Sequence, residues 1–277
     1  MKNEEIKKAV RQGYSKIAKD SGSCHCRPKS CCGSPGTADT ISKNIGYSEE
    51  EMGSAPEGAN LGLGCGNPTA LASLKEGETV IDLGCGAGFD TFLAANMVGQ
   101  TGRVIGIDMT PDMLQNARAN AEKGGYQNVE FRLGEIENLP VADSCADIII
   151  SNCVINLSPD KPGVFREAFR ALKPGGRLMV SDIVLLKELP DNIRESVSAY
   201  VGCVAGALMK GDYLATIKEA GFQSVKVIDE TIYPIKSMAG DLAGGSAIDK
   251  LSVRQKDDAT DFRNSVASIK VRAVKPG

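Results

Sequence analysis

Apolar and polar positions change period again and again along the middle of this chain. Thr79 to Leu83, Arg103 to Asp108, Asn128 to Leu133, Ala146 to Ser151 and Leu178 to Ile183 are short apolar runs suited to buried strands, and the fourth is apolar on both faces. Between them, Phe89 to Val98, Pro111 to about Lys123 behind the cap Thr110, and Lys161 to Leu172 read as helices. The last is stopped by Lys173-Pro174-Gly175-Gly176. Repeated strand-helix units predict an α/β fold with a doubly wound, mostly parallel sheet and right-handed crossovers. Past Leu189 the pattern predicts a helical insert over Ile193 to Met209 (within 190–210) carrying Cys203, and a helix over Tyr213 to Ala220. Closing strands are expected at Ser224 to Asp229 and Ser268 to Val274. Ile235 to Asp261 has no clear period and is expected to be a mobile loop.

Ahead of the sheet, Ile6, Val10, Tyr14 and Ile17 share one face of an amphipathic helix over Glu4 to Lys19, a lid or docking helix. Ser21 to Asn60 is rich in Gly, Ser and Pro and reads as an irregular, flexible arm, so the chain divides into 1–60 and a domain over 61–277. Leu61 to Pro68 is too glycine-rich for helix or strand. It has the look of backbone that approaches something closely, with Cys65 at its centre and no apolar face for that residue to pack against.

Composition narrows the function. Thirty-two Lys and Arg against 35 Asp and Glu, with no basic run, leave no electrostatic footprint for nucleic acid. Met1 to Lys19 is charged throughout, and the longest apolar run, Cys145 to Leu157, is broken by Asp147 and Asn152, so no membrane segment and a cytoplasmic protein are expected. Nine cysteines, all at or before Cys203, then read as thiols rather than disulfides. His25 is the one histidine, which leaves almost no imidazole base.

The candidate ligand site follows the first strand. Val80 to Gly88 reads V-I-D-L-G-C-G-A-G, where Gly84, Gly86 and Gly88 make a tight turn and Asp82 precedes it. Phe89 stands where a dinucleotide fingerprint needs its last glycine, and Asp82 would repel a pyrophosphate but attract an ammonium group. This stretch resembles the first motif of the class I S-adenosylmethionine methyltransferases, whose fold is Rossmann-like. The other strand ends agree: Asp108, with Met109 beside it, can accept from ribose hydroxyls, Glu135 and Ile136 flank an adenine, and Asn152 follows strand four. An adenosine with a cationic amino acid end is S-adenosylmethionine.

Cysteine stretches then distinguish this chain from a general methyltransferase. G-L-G-C-G-N-P around Cys65, S-N-C-V-I-N-L around Cys153 and V-G-C-V-A-G-A-L around Cys203 closely resemble the arsenite methyltransferases. The resemblance implies methyl transfer to trivalent arsenic, for arsenic detoxification, with Cys65, Cys153 and Cys203 as arsenic ligands. It also implies an accessory thiol from the pair Cys31 and Cys32. The substrate would be arsenite or an arsenic-thiol conjugate, and the partner a thiol reductant of thioredoxin or glutathione type. Larger eukaryotic and algal members have a longer C-terminal region. Thiolates suit soft trivalent arsenic, and its lone pair needs no base to attack a methyl carbon, which agrees with the scarcity of histidine. Cys153 and Cys203, on a strand end and a helix, are expected to be the fixed pair, with Cys65 and the arm delivering the third thiol.

Other readings stay open. Cys85 and Cys145 are by default core residues. Cys24, His25, Cys26, Cys31 and Cys32 have poor spacing for zinc. A small-molecule C- or O-methyltransferase with incidental cysteines lacks a base, and a non-catalytic arsenite- or antimonite-binding protein would not need Asp82, Asp108 and the glycines together.

Overall fold

The structure, a computed structural model, describes residues 3–22, 37–189, 200, 203–233 and 265–277. Cys24, His25, Cys26, Cys31, Cys32, most of the expected insert and the loop Ile235 to Asp261 lie outside the described residues.

Seven strands form one sheet: β1 (Thr79–Leu83), β2 (Arg103–Asp108), β3 (Val129–Leu133), β4 (Ala146–Asn152), β5 (Leu172–Leu185), β6 (Gln223–Tyr233) and β7 (Val266–Val274). Their order is β3-β2-β1-β4-β5-β7-β6. β1 to β5 run parallel, and β7 is antiparallel to both neighbours. The expected mostly parallel, doubly wound sheet is what forms. Its central strands are apolar because helices cover both faces: Val80, Ile81, Ile148, Ile149 and Ile150 are wholly buried.

Among the described residues the strands are accompanied by the α-helices α1 (Asn3–Gly22), α2 (Thr37–Asn44), α3 (Glu49–Ser54), α4 (Pro68–Leu71), α5 (Phe89–Val98), α6 (Pro111–Gly124), α7 (Lys161–Ala171) and α8 (Lys210–Glu219), and by a 3-10 turn over Ile155–Leu157. Local chemistry sets their ends. Asp160 caps α7 by accepting from the Gly163 amide at 2.9 Å, and α6 ends on left-handed Gly125. Phe165 on α7 meets Tyr213 on α8 edge to face inside the main core.

Three expectations are corrected. The stretch before Asn60 is not all irregular, since it holds α2 and α3. Ser48 and Glu51 form a reciprocal capping box that starts α3, a signal outweighed in the sequence by the surrounding Gly, Ser and Pro. β5 begins at Leu172, not Leu178. The register against β4 jumps from Ala146↔Leu172 to Ile148↔Arg177, so Lys173 to Gly176 bulge within the strand, where Gly175 also bonds Lys275. Cys203 to Leu208, at the end of the expected insert, are turns and bends rather than helix.

Candidate active site

A cleft of roughly 1080 Å³, its open mouth included, runs across the carboxyl ends of β1, β2 and β4. Asp82, Gly84, Gly86, Asp108, Met109, Ile136 and Asn152 line it, as expected from the sequence. Gly84 and Gly86 have φ of 67° and 53°, and a Cβ on Gly84 would lie 2.4 Å from Val154, so only glycine turns the chain here. Asp108 spends one lone pair of each oxygen on the amides of Gly86 (3.0 Å) and Thr110 (2.8 Å). The remaining lone pairs are open to a diol.

Two expected residues fall elsewhere. Gly88, the N-cap of α5, does not line the cleft; its φ of 98° and the Phe92 and Phe131 rings against it give it a packing role. The Glu135 carboxylate is taken up by Lys7 (2.7 Å) and Arg11 (3.2 Å) of α1, and Glu137 lines the cleft instead. A side chain at a strand end points by the local turn, and a two-residue error along the loop is invisible in the sequence.

At one end of the cleft lie Asp82 and Asp90, neither with a cationic partner among the described residues. Burial, reinforced by the charge of Asp90, pushes Asp82 up to about 8, and burial pushes Asp90 up to about 6 against hydrogen bonds from Tyr47 and Asn152. Asp82 accepts from Thr91 Oγ1 at 2.6 Å. Asp90 accepts from Tyr47 at 2.5 Å and from Asn152 at 3.0 Å. Neither Tyr47 nor Asp90 carries a motif that sequence reasoning singled out.

Asn152 joins this acidic end to the cysteine loop. Its Oδ1 accepts from the Cys65 amide at 3.0 Å, and its Nδ2 donates to Gly66 O at 2.7 Å and to the Tyr47 hydroxyl at 2.9 Å. Gly64 permits the approach, since a Cβ there would sit 2.6 Å from Nδ2. The loop is thereby clipped to β4.

Cys65, Cys153 and Cys203 meet beside the cleft, which Cys153 lines, all buried in one apolar cluster with Ile183, Leu185 and Val266. The absence of a packing face for Cys65 is therefore corrected: it is 8% exposed, because strands distant in sequence supply that face. The Cys65 and Cys153 sulfurs lie within 4.8 Å of each other, Cys203 packs in the same cluster, and Cys153 itself lines the cleft. The Cys203 thiol donates to Cys153 O at 3.0 Å, and the Cys65 thiol to Ser181 O at 3.5 Å. Cys153 and Cys203 have φ of 59° and 63°, left-handed values that cost on the order of 1–2 kcal/mol each. Non-glycine residues strained in this way cluster at functional sites. The neighbouring thiols together with burial hold Cys153 well above the ordinary thiol range, and burial pushes Cys65 up, so these two rest as neutral thiols.

Asp182, unmarked in the sequence, lies behind them. A carboxylate oxygen and the sulfurs of Cys65 and Cys153 fall within 4.8 Å of one another. Burial raises Asp182 to about 7, and it accepts from Asn156 (2.8 Å), the Ile183 amide (2.9 Å) and Tyr213 (3.1 Å). Cys85 is buried beside the cleft and Cys145 half-buried.

The strand order, the glycine turn after β1 and the acid ending β2 define a class I S-adenosylmethionine-dependent methyltransferase. Residues 74–221 match the family model described as a methyltransferase domain. The chain is 43% identical over 273 residues to the arsenite methyltransferase of Halobacterium salinarum, covering 93% of this chain and 68% of that relative. To the human arsenite methyltransferase it is 33% identical over 247 residues, 86% of this chain and 63% of the relative. A solved arsenic(III) S-adenosylmethionine methyltransferase from Chlamydomonas reinhardtii superposes with a TM-score of 0.63 at 31% identity, covering 88% of this chain and 75% of that one. The chain belongs to the arsenite methyltransferase family. It spans between 52% and 68% of the length of the curated arsenite methyltransferases it matches.

Proposed function

We propose that this chain transfers methyl groups from S-adenosylmethionine to trivalent arsenic bound by Cys65, Cys153 and Cys203. The observation that carries the reading is three buried thiols converging where the cofactor cleft ends, with Cys153 belonging to both.

The cleft fits the cofactor by its donor set. Asp82 and Asp90 are buried acids in want of a cation, the charge an α-ammonium brings; Asp108 keeps lone pairs for ribose hydroxyls; Ile136, with Glu137, offers an apolar contact and an acceptor for adenine. When bound, S-adenosylmethionine supplies an electrophilic methyl group on a sulfonium.

The thiols suit arsenite as substrate. Each S–H gives its proton to a hydroxide on arsenic, which leaves as water while an As–S bond forms, so As(OH)3 and three thiols yield a neutral tris-thiolate and three waters. No net charge is buried, and resting neutral thiols are the right starting state. The arsenic lone pair carries no proton, so no base is required; the chain holds it toward the cleft and excludes water. Methylation formally oxidises arsenic to the pentavalent state. Two thiols return two electrons by forming a disulfide, a role read for Cys31 and Cys32, with a thioredoxin- or glutathione-type reductant reopening it.

Incubation with arsenite, a thiol and labelled S-adenosylmethionine tests the reading. Methylated arsenic is expected, and Cys153→Ser, which exchanges a soft donor for a hard one of similar size, is expected to lose activity with little change in melting temperature. Ordinary turnover by that variant would remove Cys153 as a ligand, and arsenite binding without methylation would make the chain a sequestering protein.

A further inference from the structure

The N-terminal helix α1 lies outside residues 74–221, yet it supplies part of the cleft wall. Lys7, Val10 and Tyr14, spaced three and four residues apart, share one face of α1 and all line the cleft. The helix is fastened at both ends. Lys7 reaches Glu135 (2.7 Å) and Glu137 (3.4 Å), while Lys19 pairs with Asp112 at 3.3 Å and Asn116 donates to Ala18 O at 2.9 Å. Tyr14 is thus fixed between two anchors, and its ring packs on the cluster that holds the three cysteines.

Tyr14 lines the cleft and packs against the cluster that holds Cys153 and Cys203, and both thiols are among the groups that act on its phenol. In the resting site the Cys203 proton is committed to Cys153 O at 3.0 Å, which leaves the sulfur lone pairs open to accept from the phenol. Ligation to arsenic removes that proton and with it the S–H···O bond. The sulfur then needs another donor to orient it, and the phenol is the hydroxyl that packs on this cluster from α1.

We propose that Tyr14 is a positioning residue of the thiol site: its hydroxyl donates to the Cys203 sulfur and holds it in the geometry of the third arsenic ligand, so that α1 belongs to the substrate site. The inference rests on the reading of Cys203 as a ligand. A net hydrogen bond of roughly 1 kcal/mol corresponds to about a fivefold change in affinity.

The test uses the whole chain as wild type and Tyr14→Phe, which keeps the ring. Binding of arsenite and of S-adenosylhomocysteine is measured separately, together with melting temperature and the number of sulfur neighbours of bound arsenic by X-ray absorption. Expected for Tyr14→Phe are arsenite affinity about fivefold weaker, an average sulfur count below three, and S-adenosylhomocysteine affinity and melting temperature at wild-type values. Wild-type arsenite affinity with three sulfur neighbours in the variant would overturn the inference. So would a parallel loss of S-adenosylhomocysteine binding, which would reduce Tyr14 to an anchor of α1. A wild-type protein that binds no arsenite, or binds it with fewer than three sulfurs, overturns the three-thiol reading itself and the inference with it.

Discussion

Asp82 and Asp90 sit side by side in a cleft, buried and without a cationic partner among the described residues. Both are raised, Asp82 to about 8 and Asp90 to about 6, and as a coupled pair they lose their protons in two steps that belong to the pair. A ligand ammonium favours their charged forms, so binding expels protons below the upper of these values. The affinity for S-adenosylhomocysteine, which keeps the ammonium, is therefore expected to rise between pH 6 and 8 and level off above. Calorimetry at pH 7 in buffers of different ionisation enthalpy is expected to show proton release. An affinity flat across that range would mean that the ammonium lies elsewhere.

At the scale of elements, the cysteine site is assembled by a loop, a strand end and a turn that have no local reason to meet. The clip is Asn152, which ties the Gly64–Gly66 backbone to β4 and reaches Tyr47 and Asp90 on the cofactor side. Asn152→Ala leaves the Cys65 amide and Gly66 carbonyl to find new partners, and Gly64→Ala pushes a methyl into the same space. Both variants are expected to weaken arsenite binding roughly tenfold or more, the loss of one or two such hydrogen bonds. Asn152→Ala is expected to weaken S-adenosylhomocysteine binding as well, and Gly64→Ala much less. Equal effects of the two on the cofactor would show that the loop and the cofactor pocket move as one unit. Cys203 sits on a turn rather than on the expected helix, so the site holds both Cys65 and Cys203 on irregular backbone.

For the whole molecule, the raised and lowered carboxylates set opposing slopes of stability against pH. Asp82, Asp90 and Asp182 hold protons to higher pH folded than unfolded, so they lower stability progressively as pH rises from about 4, where unfolded carboxylates ionise, to about 8. Glu78, Glu130, Asp147 and Glu167 are depressed, with opposite effect: their contribution is present above roughly pH 4.5 and lost as pH falls through their folded values. Those four are half-buried ion-pair partners at the edge of the solvent, which screens them, so their share is modest. The free protein is expected to be most stable near pH 5 in denaturant titrations and to weaken toward pH 8. Saturating S-adenosylhomocysteine is expected to shift that optimum upward, because it stabilises the ionised acids. An optimum of the free protein at pH 8 would contradict the burial assigned to these aspartates.

How far the sequence reached differs between these scales for physical reasons. Strand and helix identity in the sheet was legible, since a doubly covered strand must be apolar throughout and the glycines of Gly84 and Gly86 are forced by positive φ. The cysteine identities were legible too, because three distinctive stretches survive as local sequence. Long-range packing was not legible. It made Glu137 rather than Glu135 face the cleft and gave Cys65 an apolar bed from strands far along the chain, whereas α3 was hidden by a local cause, its capping box being outweighed by the surrounding Gly, Ser and Pro. It also brought Tyr14, Tyr47, Asp90 and Asp182 to the site, residues whose own neighbours in sequence carry no motif. The sequence by itself determined the alternation of the sheet and which positions carry soft thiols. The tertiary structure alone decided which of them touch, because contact depends on how separate elements pack and on where a turn aims a side chain, and neither is encoded in a local run of residues.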